Sequence, residues 1–146
     1  MNTKRWIIAS LVIFVVDQIL SYVVHGVILS GAYETTSYLW RPTEEMNSMM
    51  WLMWLSGLVW SFLFVYIFTK GYEGRGLMEG VRYGLIIGVF FSVPMSFATY
   101  ATQPITLGIA AGWLIFGIID ITILGIIASL LYKPLEKSTG TTEASA

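Results

Sequence analysis

The sequence predicts an all-α fold: an integral membrane four-helix bundle with both termini in the cytoplasm. Three observations carry this expectation. Apolar residues make up 56% of the 146-residue chain and charged residues only 12%, against about 25% charged in ordinary soluble domains. Mean hydropathy is +0.73, more apolar surface than a soluble domain this small has interior to hide. The apolar residues also gather into four runs, each reaching the ~20 residues a helix needs to cross a bilayer.

The first run, 6–29, follows Lys4 and Arg5 and precedes the small residues Ser30, Gly31 and Ala32. That layout resembles a signal peptide. The run is much longer than the apolar region of about 7–15 residues in such peptides, and it contains Asp17. It reads as an uncleaved span.

The stretch GAYETTSYLWRPTEEMNSMM opens the outer loop, 30–48, and runs into the second span, 49–69. Thr43 is expected to cap that span, with Glu44 and Glu45 in its first turn against the positive end of the helix dipole. Alternatively, Glu34, Arg41, Glu44 and Glu45 contact a partner or guard an outer vestibule. The second span is rich in Met, Trp and Phe. Such walls suit lipid, a partner subunit or a flat cofactor, and at helical spacing they are most often packing surfaces.

A glycine-rich cytoplasmic loop, 70–82, leads to the third span, 83–102. Gly80, Gly84, Gly88, Ser92 and Ser96 recur at every fourth position. Lipid tails are as apolar as leucine, so membrane helices associate where small residues let backbones approach. Pro94 interrupts this span and frees the carbonyl of Phe90, which predicts a kink re-satisfied by Ser92 or Ser96. In the fourth span, 105–132, Pro104 is placed to start the helix. Gly108 and Gly112 repeat the small-residue spacing, with Gly117 and Gly125 further along. The third and fourth spans are therefore expected to form the main helix contact. Pro134 ends the last helix, and the polar tail, 135–146, is expected to be disordered.

Lys4, Arg5, Lys70, Arg75, Arg82, Lys133 and Lys137 fall on one side of this layout, and only Arg41 falls on the other. The positive-inside bias then puts both termini in the cytoplasm. Net charge is −1 and there is no cysteine. Neither a nucleic-acid surface nor thiol chemistry is expected. The sequence offers no nucleophile–base pair, phosphate loop or metal-ligand cluster. The segment GYEGRG (71–76) lacks the strand-to-helix setting of a phosphate loop. The chain reads as non-enzymatic, with no metal.

The polar residues inside the spans are few. Asp17 and Asp120 each lie roughly 16–18 Å from the inner end of their helix at 1.5 Å per residue. Both fall near the midplane, where a charged carboxylate costs about 2.5–3.5 kcal/mol on insertion scales. Gln18, Ser21 and His25 follow Asp17 along one helix face. Three uses are open. The groups can hydrogen-bond between helices, Asp17 and Asp120 can carry a proton or cation, or His25 can ligate a haem or chlorin.

The stretches KGYEGRGLMEGVRYGLIIG (70–88) and ILGIIASLLYKP (123–134) resemble small four-span bacterial membrane proteins of unassigned function. The resemblance implies a multi-pass protein of the bacterial inner membrane and transfers no site residue. The function expected is an accessory or scaffolding subunit, or a homo-oligomer. The alternatives are a proton- or cation-coupled carrier and a haem- or chlorin-binding subunit. The partners expected are the lipid bilayer and other membrane subunits or further copies of the chain.

Overall fold

The computed structural model describes residues 2–134. The tail expected to be disordered, 135–146, and with it Lys137, lies outside the described residues. All regular structure among the described residues is helical. Helix α1 (Thr3–Ser21) continues as a π-helical segment (Tyr22–Ile28), followed by the short α2 (Ser30–Thr35), a 3-10 turn (Ser37–Leu39) and α3 (Thr43–Ser48). Three long helices complete the chain: α4 (Met50–Lys70), α5 (Leu77–Thr102) and α6 (Leu107–Leu131). Four helices, counting α1 with its π extension, are long and apolar enough to cross a membrane.

The boundaries depart from expectation where capping chemistry intervenes. Thr43 is the first residue of a separate helix, α3, and its hydroxyl caps nothing. Glu44 and Glu45 therefore sit at the start of α3, not of α4. Pro104 lies ahead of α6, and the cap is Thr106, whose side chain accepts from the Ile109 N–H at 3.3 Å. Helix α5 starts at Leu77, well before the expected 83. Glu79 explains the early start. It is buried, and its carboxylate accepts from the backbone N–H groups of Glu73 (2.6 Å) and Arg75 (2.8 Å). The turn 71–76 is folded back onto the first turn of α5, with Gly74 and Gly76 at positive φ where a side chain would be strained. Glu73 in that turn pairs with Arg82 and Arg75. The hydrogen bond from Arg82 is the main influence holding its carboxyl below the ordinary glutamate range.

Helices α5 and α6 pack most extensively. A Cβ on Gly84 would lie 2.6 Å from the Ile121 carbonyl oxygen, and one on Gly80 would lie 2.5 Å from that of Gly125. Gly88 faces Ile118 less tightly, at 3.1 Å, and Gly117 leaves room for the Ser92 side chain. As the α5 number rises from 80 to 92, its α6 partner falls from 125 to 117, so the pair is antiparallel. At Gly84 and Gly125 backbone meets backbone.

Not every small residue serves this contact. Gly108 is exposed, with only Thr106 of its own turn nearby. It lies in the first turn of α6, on a side that no other element covers. Gly112 faces α1 instead: a Cβ there would meet Leu29 at 2.8 Å. Ser96 is buried and its hydroxyl has no hydrogen-bond partner among the described residues. Neither Ser92 nor Ser96 re-satisfies the Phe90 carbonyl. Pro94 lies on an exposed face of α5, which stays helical through it to Thr102.

Helix α1 lies antiparallel on α6. The Asn2 N–H reaches the Tyr132 hydroxyl at 3.3 Å, and Leu29 packs at Gly112. Helix α4 leans on α1, tied by the Trp6 indole N–H donating to the Phe62 carbonyl at 3.1 Å. The end holding Asn2 and Tyr132 is termed the termini face, and the opposite end the loop face. Near the termini face the helices close on a core of Ala9, Ile13, Phe64, Val65, Leu124 and Ala128. Phe68, Tyr72, Tyr83 and Tyr132 pack edge to face below it, and the Tyr83 hydroxyl donates to the Phe64 carbonyl at 2.5 Å. Tyr132 is only 2% exposed, so it is a core residue and not the interfacial anchor its place in the sequence suggests. Toward the loop face, α4 leaves its neighbours.

Gly84→Ala should destabilise the protein by about 1–3 kcal/mol, because the new methyl overlaps rigid backbone. Gly108→Ala should change stability by no more than about 0.5 kcal/mol. Unfolding titrations in mixed micelles separate the two, and equal costs would contradict the packing described.

Candidate functional site, a polar layer above the apolar core

The two carboxylates within the candidate spans sit one helical turn above the core, on its loop-face side. Asp17 follows buried Ile13 by four residues on α1, and Asp120 precedes buried Leu124 by four on α6. Residues four apart share a helix face, so the antiparallel packing of α1 on α6 brings the two acids to one level. On α4 the same level is marked by Trp60, stacked on Phe64 at 4.7 Å between ring centroids, and by Gly57. A Cβ on Gly57 would come within 2.9 Å of the Gln18 amide nitrogen and 3.7 Å of an Asp17 oxygen. The missing side chain at 57 leaves that room.

Gln18 Nε2 donates to Asp17 Oδ2 at 3.2 Å. Asp120 forms no side-chain hydrogen bond among the described residues, and no basic side chain there pairs with either acid. Asp17, Gln18 and Asp120 are all half-buried. They form a level at which the closed half of the structure gives way to the open half.

Ser21 is half-buried one turn further out. His25 does not continue the line. The expected single face assumes α-helical winding throughout, but Tyr22–Ile28 is π-helical. The wider winding rotates His25 away from Gln18 and Ser21, and the imidazole is exposed. Its Nδ1 meets the Tyr33 hydroxyl at 2.5 Å, and the two rings stack. Tyr33 Oη also accepts from the Trp113 indole N–H at 2.7 Å. An indole N–H can only donate, so the tyrosine proton is free to go to His25. In the neutral imidazole this puts the ring proton on Nε2. Burial pushes the Tyr33 hydroxyl above the ordinary tyrosine value, which the Trp113 bond partly offsets. It therefore stays a donor across the physiological range.

Around this bond a second, smaller core forms from Ile105, Ile109 and Ala110, with Tyr33, Leu39, Trp40 and Trp113 packed on it. Thr36 is buried in the loop and accepts from the Trp40 indole N–H at 3.1 Å. The loop is thereby pinned across the start of α6. Glu34, Arg41, Glu44 and Glu45 take no part in this pinning. All four are exposed, and Arg41 pairs only with Glu45 one turn along, a surface pair of little energetic weight.

Sequence reasoning missed Trp113 and Glu79. Trp113 lies in an apolar span and carries no mark of its partner eighty residues earlier. Glu79 did carry a signal, since a glutamate at the third position of a helix after glycine often folds back onto the preceding turn. No family model matches the chain, and no curated protein or solved structure matches it either. The geometry alone bears on function.

Tyr33→Phe should cost about 1–3 kcal/mol, since it leaves the Trp113 N–H without its acceptor in a packed site. The loop should detach with it. Proteolytic cleavage within residues 30–42 and a shift in tryptophan emission would both report this. An unchanged cleavage pattern would mean that Tyr33 does not hold the loop.

Proposed function

We propose that this chain is a non-enzymatic, multi-pass protein of the bacterial inner membrane that works as an accessory or scaffolding subunit, beside other membrane subunits or copies of itself. The bias of basic residues supports a cytoplasmic termini face. The observation that carries the reading is the loop-face part of α4. Trp51 is 58% exposed, Met53 64% and Trp54 55%. These residues point in different directions around the helix, so none of its faces is packed by its own chain. Lipid alone satisfies exposed apolar residues. It does not satisfy Asp17, Gln18 and Asp120, half-buried at the level where α4 departs. A neighbouring helix seated against α4 covers both features at once.

Gentle detergent extraction followed by native mass spectrometry is expected to find a homo-oligomer or a complex with another membrane protein. Met53→Lys should dissociate it while leaving helix content intact. A strictly monomeric wild type would sink the proposal.

The shared level of Asp17 and Asp120, with no basic partner among the described residues, favours a second reading as a proton- or cation-coupled carrier. Two neighbouring carboxyls in a poor solvent for charge tend to hold a shared proton, and intramembrane acids commonly mark ion paths. In liposomes loaded with a pH dye, the wild type should move protons down an imposed gradient, and Asp17→Asn and Asp120→Asn should each abolish that flux. Flux no greater than that of empty vesicles would remove this reading.

A further inference from the structure

We infer that the half of α4 nearest the termini face carries a binding site for one anionic phospholipid. A groove of about 520 Å³ runs along the outside of the molecule, lined by Trp6, Leu58, Val59, Phe62, Leu63 and Tyr66. Every lining residue is apolar or aromatic. From Leu58 to Tyr66 it extends ~12 Å at 1.5 Å per residue, which fits within one leaflet's ~15 Å share of the hydrocarbon. The wall is preformed. Trp6 is fixed by its N–H bond to the Phe62 carbonyl and packs edge-on against Phe62 and Tyr66.

Charge chooses the occupant. Lys70 lies one turn beyond Tyr66 on the same face of α4, and its ammonium stands 4.9 Å from the centre of the Tyr66 ring. Arg5 precedes Trp6 on α1. Both cations are exposed, and neither has a carboxylate partner among the described residues. A phosphate with no balancing cation of its own would sit at Lys70 and Arg5 while an acyl chain follows the groove toward Leu58. A zwitterionic choline headgroup would bring its own cation and gain less. Juxtamembrane basic residues attract anionic lipid in general. Here the fixed indole and the apolar channel give that attraction a defined place.

The inference rests on the chain residing in a bilayer, so membrane-fraction recovery of each variant is measured first. Full-length protein is then equilibrated with equal amounts of phosphatidylglycerol and phosphatidylcholine and examined by native mass spectrometry. The wild type should retain phosphatidylglycerol at least tenfold over phosphatidylcholine. Lys70→Gln with Arg5→Gln should erase the preference without changing helix content. Leu63→Trp should fill the groove and reduce retention of either lipid. Equal retention of the two lipids by the wild type would overturn the site, as would an unaltered preference in the double variant. Because the chain has no cysteine, Leu63→Cys supplies a single thiol. Disulfide-linked dimers at that position would show that a second copy fills the groove, and would overturn the lipid assignment even if the protein stays in the membrane.

Discussion

The approach of α5 to α6 is the contact on which the rest of the arrangement depends. Helices apolar enough to cross a membrane gain no hydrophobic reward from pairing there, so close backbone contact and the dispersion it permits are what such a pair has to hold it. Gly80, Gly84 and Gly125 provide it by having nothing to remove. Once this pair is set, α6 still has a free side, and α1 lies along it from Tyr132 to Gly112. Helix α4 then has only α1 and the aromatic stack near the termini face to rest on. That order of dependence explains why the structure is tight on one side and loose on the other.

The split between a closed and an open half follows from side-chain volume. Near the termini face, four rings bridge the gap between α4 and α5 that the backbones do not close. Further out, no comparable set of rings spans it, and α4 stands apart. The polar layer of Asp17, Gln18 and Asp120 sits at this transition. An acid placed lower would be enclosed by Phe64 and Leu124 with no partner, at a cost of several kcal/mol. At the level it occupies, it meets the Gln18 amide and the room left by Gly57.

Much of this was legible in the sequence because membrane helices announce themselves by length and apolarity. The four long helices fall where the four apolar runs are, and the fourfold spacing of Gly80, Gly84 and Gly88 already named the face of α5 that meets α6. The matched depth of Asp17 and Asp120 could be counted along their helices. What could not be counted was azimuth. Gly108 shares the spacing of a packing residue yet faces open space, on a side of α6 that no neighbour covers. His25 was aligned with Ser21 on the assumption of one uniform winding, and a π segment between them is invisible to residue counting. Boundaries moved for a related reason. The caps at Thr106 and the fold-back of Glu79 are local hydrogen bonds, and hydropathy is blind to them.

The loop between the first two long helices shows how a polar-looking segment becomes part of the packed structure. Its charged residues stay exposed and do little, while Tyr33, Thr36 and Trp40 tie it to Trp113 through indole and hydroxyl hydrogens. An indole bonded to a partner inside the protein satisfies its one polar atom where water is scarce. Tyr33 therefore holds the loop-face ends of the first span and α6 together, through His25 on one side and Trp113 on the other. The same device recurs at the opposite end, where the Trp6 N–H ties α1 to α4. One tryptophan bond thus ties α1 to α4 at one end of the molecule, and another ties the loop to α6 at the other. Between them lies the level of Asp17 and Asp120, where no basic side chain among the described residues pairs with either acid.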